Sequence, residues 1–154
     1  MANVVIIGGG PGGYEAALVA RQLEAEVTLI DPNSIGGAAT LTDVVPSKSL
    51  IATAEVMTRV RSSHELGLVP VDPALSDLKD AVRVDLAAIN KRLLALADQQ
   101  SRDIESRLVH EGVTIIRGRG RLLDNETVLA ATDEGDIRLQ ADMVLVATGT
   151  RPRE

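Results

Sequence analysis

The chain has 154 residues, 45% hydrophobic and 25% charged, with 22 acidic against 16 basic side chains and a net charge of −6. That length suits one domain with a real core. The acidic balance disfavours nucleic acid, whose affinity rests on phosphate neutralisation. No apolar run approaches the roughly 20 residues that span a bilayer, and no basic segment precedes the first apolar run, so we expect a cytoplasmic protein. There is no cysteine, which removes disulfides, thiolate ligands and thiol nucleophiles together. One tyrosine is the whole aromatic content, so the core must be aliphatic and a planar ligand would meet backbone and aliphatic groups.

In chain order, Val4-Val5-Ile6-Ile7 reads as a fully buried parallel strand. It runs into Gly8-Gly9-Gly10-Pro11-Gly12-Gly13. Tyr14 to Glu26 is rich in helix formers. Val27-Thr28-Leu29-Ile30 is a second strand, stopped by Asp31-Pro32-Asn33, which completes a βαβ unit. A loop with Gly36-Gly37 follows, and Pro46 stands where a helix can begin, because its missing N–H costs nothing in the first turn. Ser47 to His64 reads as a helix. Gly67, Pro70 and Pro73 mark a loop. Leu86, Ile89, Leu93 and Leu96, extended by Ile104 and Leu108, form a helical stripe that we assign to the core, with Gly112 as its stop. Val113 to Ile116 is a third buried strand. Arg119 to Gln140 reads as a small antiparallel meander with turns at Asp124-Asn125 and Glu134-Gly135-Asp136. Met143 to Ala147 closes as another buried strand before Thr148-Gly149-Thr150. The fold class is α/β: a Rossmann-like domain with a parallel sheet, a helical crossover and an antiparallel β-meander.

Gly8, Gly10 and Gly13 spell G-x-G-x-x-G between a strand and a helix. The first permits the tight turn, the second lets a pyrophosphate approach the backbone, and the third lets helix pack on strand. The helix start adds free N–H groups and a partial positive charge. Asp31, at the end of the second strand, stands where a carboxylate accepts hydrogen bonds from a ribose diol. These features predict a dinucleotide and leave FAD and NAD(P) both open.

His64 and His110 fall near helix ends and read as solvated or capping residues. Arg117, Arg119 and Arg121 read as solvated or salt-bridged. No His/Asp/Glu spacing suggests a metal site.

Gly36-Gly37, Pro46-Ser47-Lys48, Gly118-Arg119-Gly120 and Ala147-Thr148-Gly149, in that order, resemble the FAD domain of the flavoprotein disulfide reductases. In that family Gly-Gly-x-Cys-x-x-x-x-Cys-x-Pro-Ser-Lys carries the redox pair. Here the same length holds Ala39 and Val44 at the two cysteine positions. Neither can form a thiolate or a mixed disulfide. The chain therefore resembles the cysteine-lacking subset, which includes actinobacterial NAD(P)H:quinone reductases once classed with dihydrolipoamide dehydrogenases. Soluble pyridine nucleotide transhydrogenases are an alternative, and a non-catalytic dinucleotide-binding module is another.

The resemblance implies FAD as cofactor, held by Gly8, Gly10, Pro11, Gly12 and Gly13 at the pyrophosphate and by Asp31 and Pro32 at the adenosine ribose. Gly36, Gly37, Ala38 and Ala39 would lie along the pyrophosphate and ribityl chain. Gly120 would contact adenine, and Ala147, Thr148 and Gly149 would close over the cofactor. Lys48 is the catalytic candidate and a further cofactor contact, a cation beside the reactive edge of the flavin. The resemblance also implies that residues 1–154 are the N-terminal segment of an FAD-binding domain, without the NAD(P)-binding and dimerisation domains. The expected parent is roughly three times longer, homodimeric, uses NAD(P)H, and passes electrons to a small-molecule acceptor.

Overall fold

A computed structural model describes residues Met1 to Thr150. Four strands form a parallel sheet: β1 (Asn3–Ile7), β2 (Glu26–Asp31), β3 (Thr114–Arg117) and β7 (Met143–Val146), in the order β3-β2-β1-β7. A second, antiparallel sheet holds β4 (Arg119–Leu122), β5 (Thr127–Thr132) and β6 (Gly135–Gln140). The α/β class and the meander are therefore both present.

The central strands are apolar on both faces because both are covered. Val4 and Ile6 of β1, with Val27 and Leu29 beside them on β2, pack against helices. Val5, Ile7 and Ile30 point the other way, onto Val128 and Ala130 of β5 and onto Ala141. One alternating strand thus joins two cores in a three-layer arrangement.

On the helical side, α1 (Pro11–Gln22) contributes Ala17 and Leu18, and α4 (Leu86–His110) contributes Leu108. Between them in sequence lie α2 (Gly37–Leu41) and α3 (Val44–Arg61). The end of α4 is closed as expected at Gly112, whose φ is +81°. Val113 N–H reaches the Leu108 carbonyl at 2.9 Å and Gly112 N–H the Val109 carbonyl at 3.0 Å, which is the Schellman pattern.

Several boundaries and burial assignments differ from the sequence reading. Helix α1 starts at Pro11 rather than Tyr14, because Gly10 serves as its N-cap and proline is tolerated at the first position. Gly37 opens the one-turn helix α2 instead of remaining in a loop, with Gly36 as its N-cap at φ +115°. Helix α3 begins at Val44, so Pro46 is inside its first turn rather than at its start, still where no intrahelical acceptor awaits its N–H. It ends at Arg61, and a 3-10 turn spans Ser63–Leu66.

The strands assigned as buried at either end of the parallel sheet are its edges. Met143 of β7 is 63% exposed and Thr114 of β3 is exposed too. Nor is the whole stripe on α4 core. Leu93, Ala97, Ser101 and Leu108 are buried, but Leu86 is 71% exposed and Leu96 is also exposed. Among the described residues no helix is long and apolar enough to cross a membrane.

Candidate functional site: a cleft at the strand ends

The carboxyl ends of all four parallel strands open onto one cleft of about 1260 Å³. Gly8, Gly10, Pro11 and Gly12 form one wall, and Asp31 to Ser34 a second. Gly37, Ala38, Ala39, Leu41 and Thr42 come from α2 and its exit. Arg117 ends β3, and Ala147 to Thr150 follow β7. In open α/β sheets this is the crevice where ligands bind.

The glycines of the first turn have separable roles. Gly8 has φ +111°, and a Cβ there would collide with the Ala147 carbonyl. Its N–H donates to the Ile30 carbonyl at 2.8 Å, and Ala147 N–H donates to the Ile7 carbonyl at 2.8 Å, so three strand ends are tied at this point. A Cβ at Gly13 would strike the Gly8 carbonyl, so this glycine serves the close packing of α1 on β1.

Gly10 and Gly12 are different. A Cβ at Gly10 would meet only Gly37 Cα at 3.9 Å, and one at Gly12 would meet nothing within 4 Å. The protein itself does not crowd these positions. Both positions line the cleft, and there the Gly12 N–H lacks an intrahelical acceptor, since Pro11 has no N–H and the Gly13 N–H donates to the Gly10 carbonyl at 2.9 Å. Across from it, a Cβ at Gly37 would lie 2.8 Å from Gly10 Cα, so the α2 turn and the glycine-rich turn meet backbone to backbone.

Asp31 is held from two sides. Its Oδ2 accepts from the Gly9 N–H at 2.6 Å, and its Oδ1 accepts from the Asn33 N–H at 2.7 Å. Each oxygen keeps a further lone pair for a hydroxyl donor. The carboxylate thus organises the turn as well as facing the cleft. Deeper in, Ser101 Oγ–H of α4 donates to the Ile35 carbonyl at 2.5 Å and fixes the chain just before α2. Ser101 is buried, and this bond satisfies it.

The remaining candidates from the sequence do not all gather here. Gly8, Gly10, Pro11, Gly12, Asp31, Pro32, Gly37, Ala38, Ala39, Ala147, Thr148 and Gly149 line the cleft. Gly13, Gly36, Gly120 and Lys48 do not. Gly13 lies beneath the turn, and Gly36 leads into α2. Gly120 sits between the two sheets, where a Cβ would lie 2.9 Å from Ile7 Cγ2. Lys48 is exposed on α3, beyond the cleft wall. Val44, at the second cysteine position, opens α3 and is exposed, whereas Ala39 is in the wall.

Sequence reasoning missed Asn33, Ser34, Leu41, Thr42, Arg117 and Thr150 as cleft residues. For Arg117 the signal was available. It ends a strand of the same parallel sheet, in register with Asp31. Its reading as salt-bridged holds: its guanidinium pairs with the Glu105 carboxylate and also donates to the Asn33 carbonyl. Among the described residues no group of His, Cys, Asp and Glu is placed to hold a metal ion.

Comparison with known proteins agrees with this architecture. The profile of the pyridine nucleotide-disulphide oxidoreductase family matches residues 2–154. An NAD(P)H dehydrogenase (quinone) of Mycobacterium tuberculosis is 44% identical over 98% of this chain and 31% of its own length. A dihydrolipoyl dehydrogenase of Zymomonas mobilis is 32% identical over 99% of this chain and 31% of its own. The crystal structure of LpdA from Mycobacterium tuberculosis superposes with a TM-score of 0.86 at 40% identity, covering 100% of this chain and 33% of that one. The chain thus spans about a third of the length of the relatives it matches. With its glycine fingerprint, its cleft at the strand ends and this match along nearly its whole length, the chain belongs to the pyridine nucleotide-disulphide oxidoreductase family.

Proposed function

We propose that this chain is the FAD-binding segment of an NAD(P)H-dependent flavin oxidoreductase that reduces quinone-like acceptors without a redox disulfide. The observation that carries the reading is the space at Gly10 and Gly12. The fold leaves both positions uncrowded, yet a side chain there would fill the cleft where a pyrophosphate would lie.

In this reading the Gly12 N–H and the close backbone of the glycine turn hold the pyrophosphate, supported by the positive end of α1. Asp31 accepts from the adenosine ribose hydroxyls and disfavours a 2′-phosphate by repulsion. Gly37 and Ala38 leave room for the ribityl chain, and Thr148 and Gly149 close the opposite rim. The bound flavin would supply two-electron chemistry, accepting a hydride and passing electrons on. Lys48 is assigned to the flavin end, its cation offsetting negative charge on the reduced ring. Gly120 is proposed to contribute backbone at the adenine end. The acceptor class follows from two observations. Ala39 and Val44 leave no thiol for a dithiol substrate. Of the two named relatives given above, the 44% identical one is called a quinone dehydrogenase, and the 32% identical one a dihydrolipoyl dehydrogenase. A homodimeric assembly of the whole enzyme is part of the same proposal.

The test has two stages. FAD is added to the purified chain, excess is removed by gel filtration, and the visible spectrum is recorded. A retained flavin band supports the cofactor assignment, and a colourless folded protein contradicts it for this chain. NAD(P)H oxidation by the full-length protein is then followed with menadione and with lipoamide. Turnover with menadione alone supports the acceptor class. Turnover with lipoamide overturns it, and hydride exchange between NADPH and an NAD analogue without menadione reduction marks a transhydrogenase.

A further inference from the structure

We propose that Arg117 is a positioning residue for the Asp31 carboxylate, acting through Asn33, and that it thereby tunes recognition of the adenosine half of a dinucleotide. The second half of this inference rests on the proposed function of the cleft; the first half does not.

Asn33 links the two side chains. Its peptide N–H donates to Asp31 Oδ1 at 2.7 Å, and its carbonyl accepts from Arg117 Nη1. Residue 33 is exposed and belongs to neither β2 nor α2. These two bonds are what the structure gives it in place of secondary structure. Arg117 is anchored in turn. Its Nη2 pairs with the Glu105 carboxylate of α4, and its backbone belongs to β3, in register with Asp31 itself. A planar guanidinium can serve two acceptors in fixed directions at once, which an ammonium cannot.

The result is a short relay. Helix α4 orients Arg117, Arg117 holds Asn33, Asn33 holds one oxygen of Asp31, and the Gly9 N–H holds the other at 2.6 Å. Asp31 is only partly buried, so little besides these bonds fixes its orientation. Loss of Arg117 frees the Asn33 carbonyl, and Asp31 Oδ1 then depends on an unanchored loop. The ribose-binding atoms lose their preorganisation, and with them the Gly9 tie, while the backbone bonds of Gly8 to Ile30 and of Gly36 to Gly9 remain.

The experiment compares wild type with Arg117→Met and Arg117→Lys in the full chain. Amide hydrogen exchange is read at Asn33, Gly9 and Val5, and affinities are read for ADP, which carries the adenosine half, and FMN, which lacks it. Arg117→Met is expected to speed exchange at Asn33 and Gly9 about tenfold while Val5 in the sheet stays protected. ADP is expected to bind about tenfold more weakly, the scale of one lost hydrogen bond, while FMN changes less than about twofold. Arg117→Lys keeps the charge but not the fork, and is expected to fall between the two.

Unchanged exchange at Asn33 and Gly9 overturns the proposal whatever the ligands do. Faster exchange at Val5 as well, in both variants, also overturns it, since Arg117 would then support the sheet in general. Equal weakening of ADP and FMN removes the adenosine half of the proposal. Local loosening with no ADP or FMN binding by wild type leaves Arg117 as the positioner of Asp31 and overturns the reading of the cleft instead. If Arg117→Met fails to fold, Glu105→Gln with Arg117→Lys carries the same comparison, with a smaller rise in exchange at Asn33 expected for each.

Discussion

The β1-α1-β2 unit and helix α3 both draw their apolar content mainly from Ala, Leu, Ile and Val, yet they end in opposite situations. Ile6 and Leu29 are wholly buried, with a layer on each side of their strands. Helix α3 has no buried residue, and Leu50, Ile51 and Val56 lie open. Equal hydrophobicity therefore does not mean equal stabilisation. What counts is whether a second element covers the surface, since the gain follows the apolar area removed from water.

The largest test of that contrast pairs Ile6→Ala with Ile51→Ala in chemical denaturation. The first leaves a cavity between packed layers and is expected to cost about 2–5 kcal/mol. The second trims a side chain that is 57% exposed and is expected to change stability by less than about 0.5 kcal/mol. A similar cost for both would mean that α3 is covered in solution.

Next in size, Gly8→Ala is expected to destabilise by more than about 1–3 kcal/mol. It combines a residue at φ +111° with a collision against the Ala147 carbonyl. Ser101→Ala removes the only donor reaching the Ile35 carbonyl from α4 in the structure, and is expected to cost about 1–3 kcal/mol by thermal melt.

Gly12→Ala sharpens the comparison further, because it separates stability from binding within one turn. A helical alanine in open space is expected to leave the fold unharmed or up to about 1 kcal/mol more stable. FAD or ADP affinity, measured by titration, should fall at least about tenfold. Binding intact in Gly12→Ala would remove the main support for the phosphate site. Smallest in its effect on stability is Lys48→Met, expected to fall within about 0.5 kcal/mol, as for exposed positions generally. Its effect should appear only as slower NAD(P)H oxidation in the full-length enzyme. Full turnover there would end the catalytic assignment.

These cases also mark how far the sequence could be read. The strand of β-branched residues, the glycine fingerprint and Asp31 were legible because each rests on local chemistry at fixed spacing. The turn at Gly112 was legible for the same reason. The edge positions of β3 and β7 were not, because an apolar run reports its own composition and not what lies beside it. The stripe on α4 failed at Leu86 and Leu96 and held at Leu93 and Leu108 on the same grounds. Helix α2 was hidden because two glycines read as a loop, while φ +58° at Gly37 is tolerated once the turn is tied to its surroundings. Gly36 N–H makes that tie to the Gly9 carbonyl at 2.8 Å. In the site, the strand end offered Arg117 as a candidate, but its partners, Asp31 and Asn33 at the end of β2 and Glu105 on α4, are brought to it only by the fold. At Gly120 a Cβ would meet Ile7 and Ile30, a packing reason for glycine that only the meeting of the two sheets shows.

The backbone contact between Gly10 and Gly37 makes the history of each position conditional on the other. A side chain at Gly37 would come within 2.8 Å of Gly10 Cα, whereas one at Gly10 would stay 3.9 Å from Gly37 Cα. Once one is occupied, the surroundings met by the second have already shifted, so the two substitutions should not act additively. Drift at these sites is therefore epistatic. A descendant that tolerates bulk at Gly37 must first have moved the glycine-rich turn away, and the trace of that event should be a paired change rather than two independent ones.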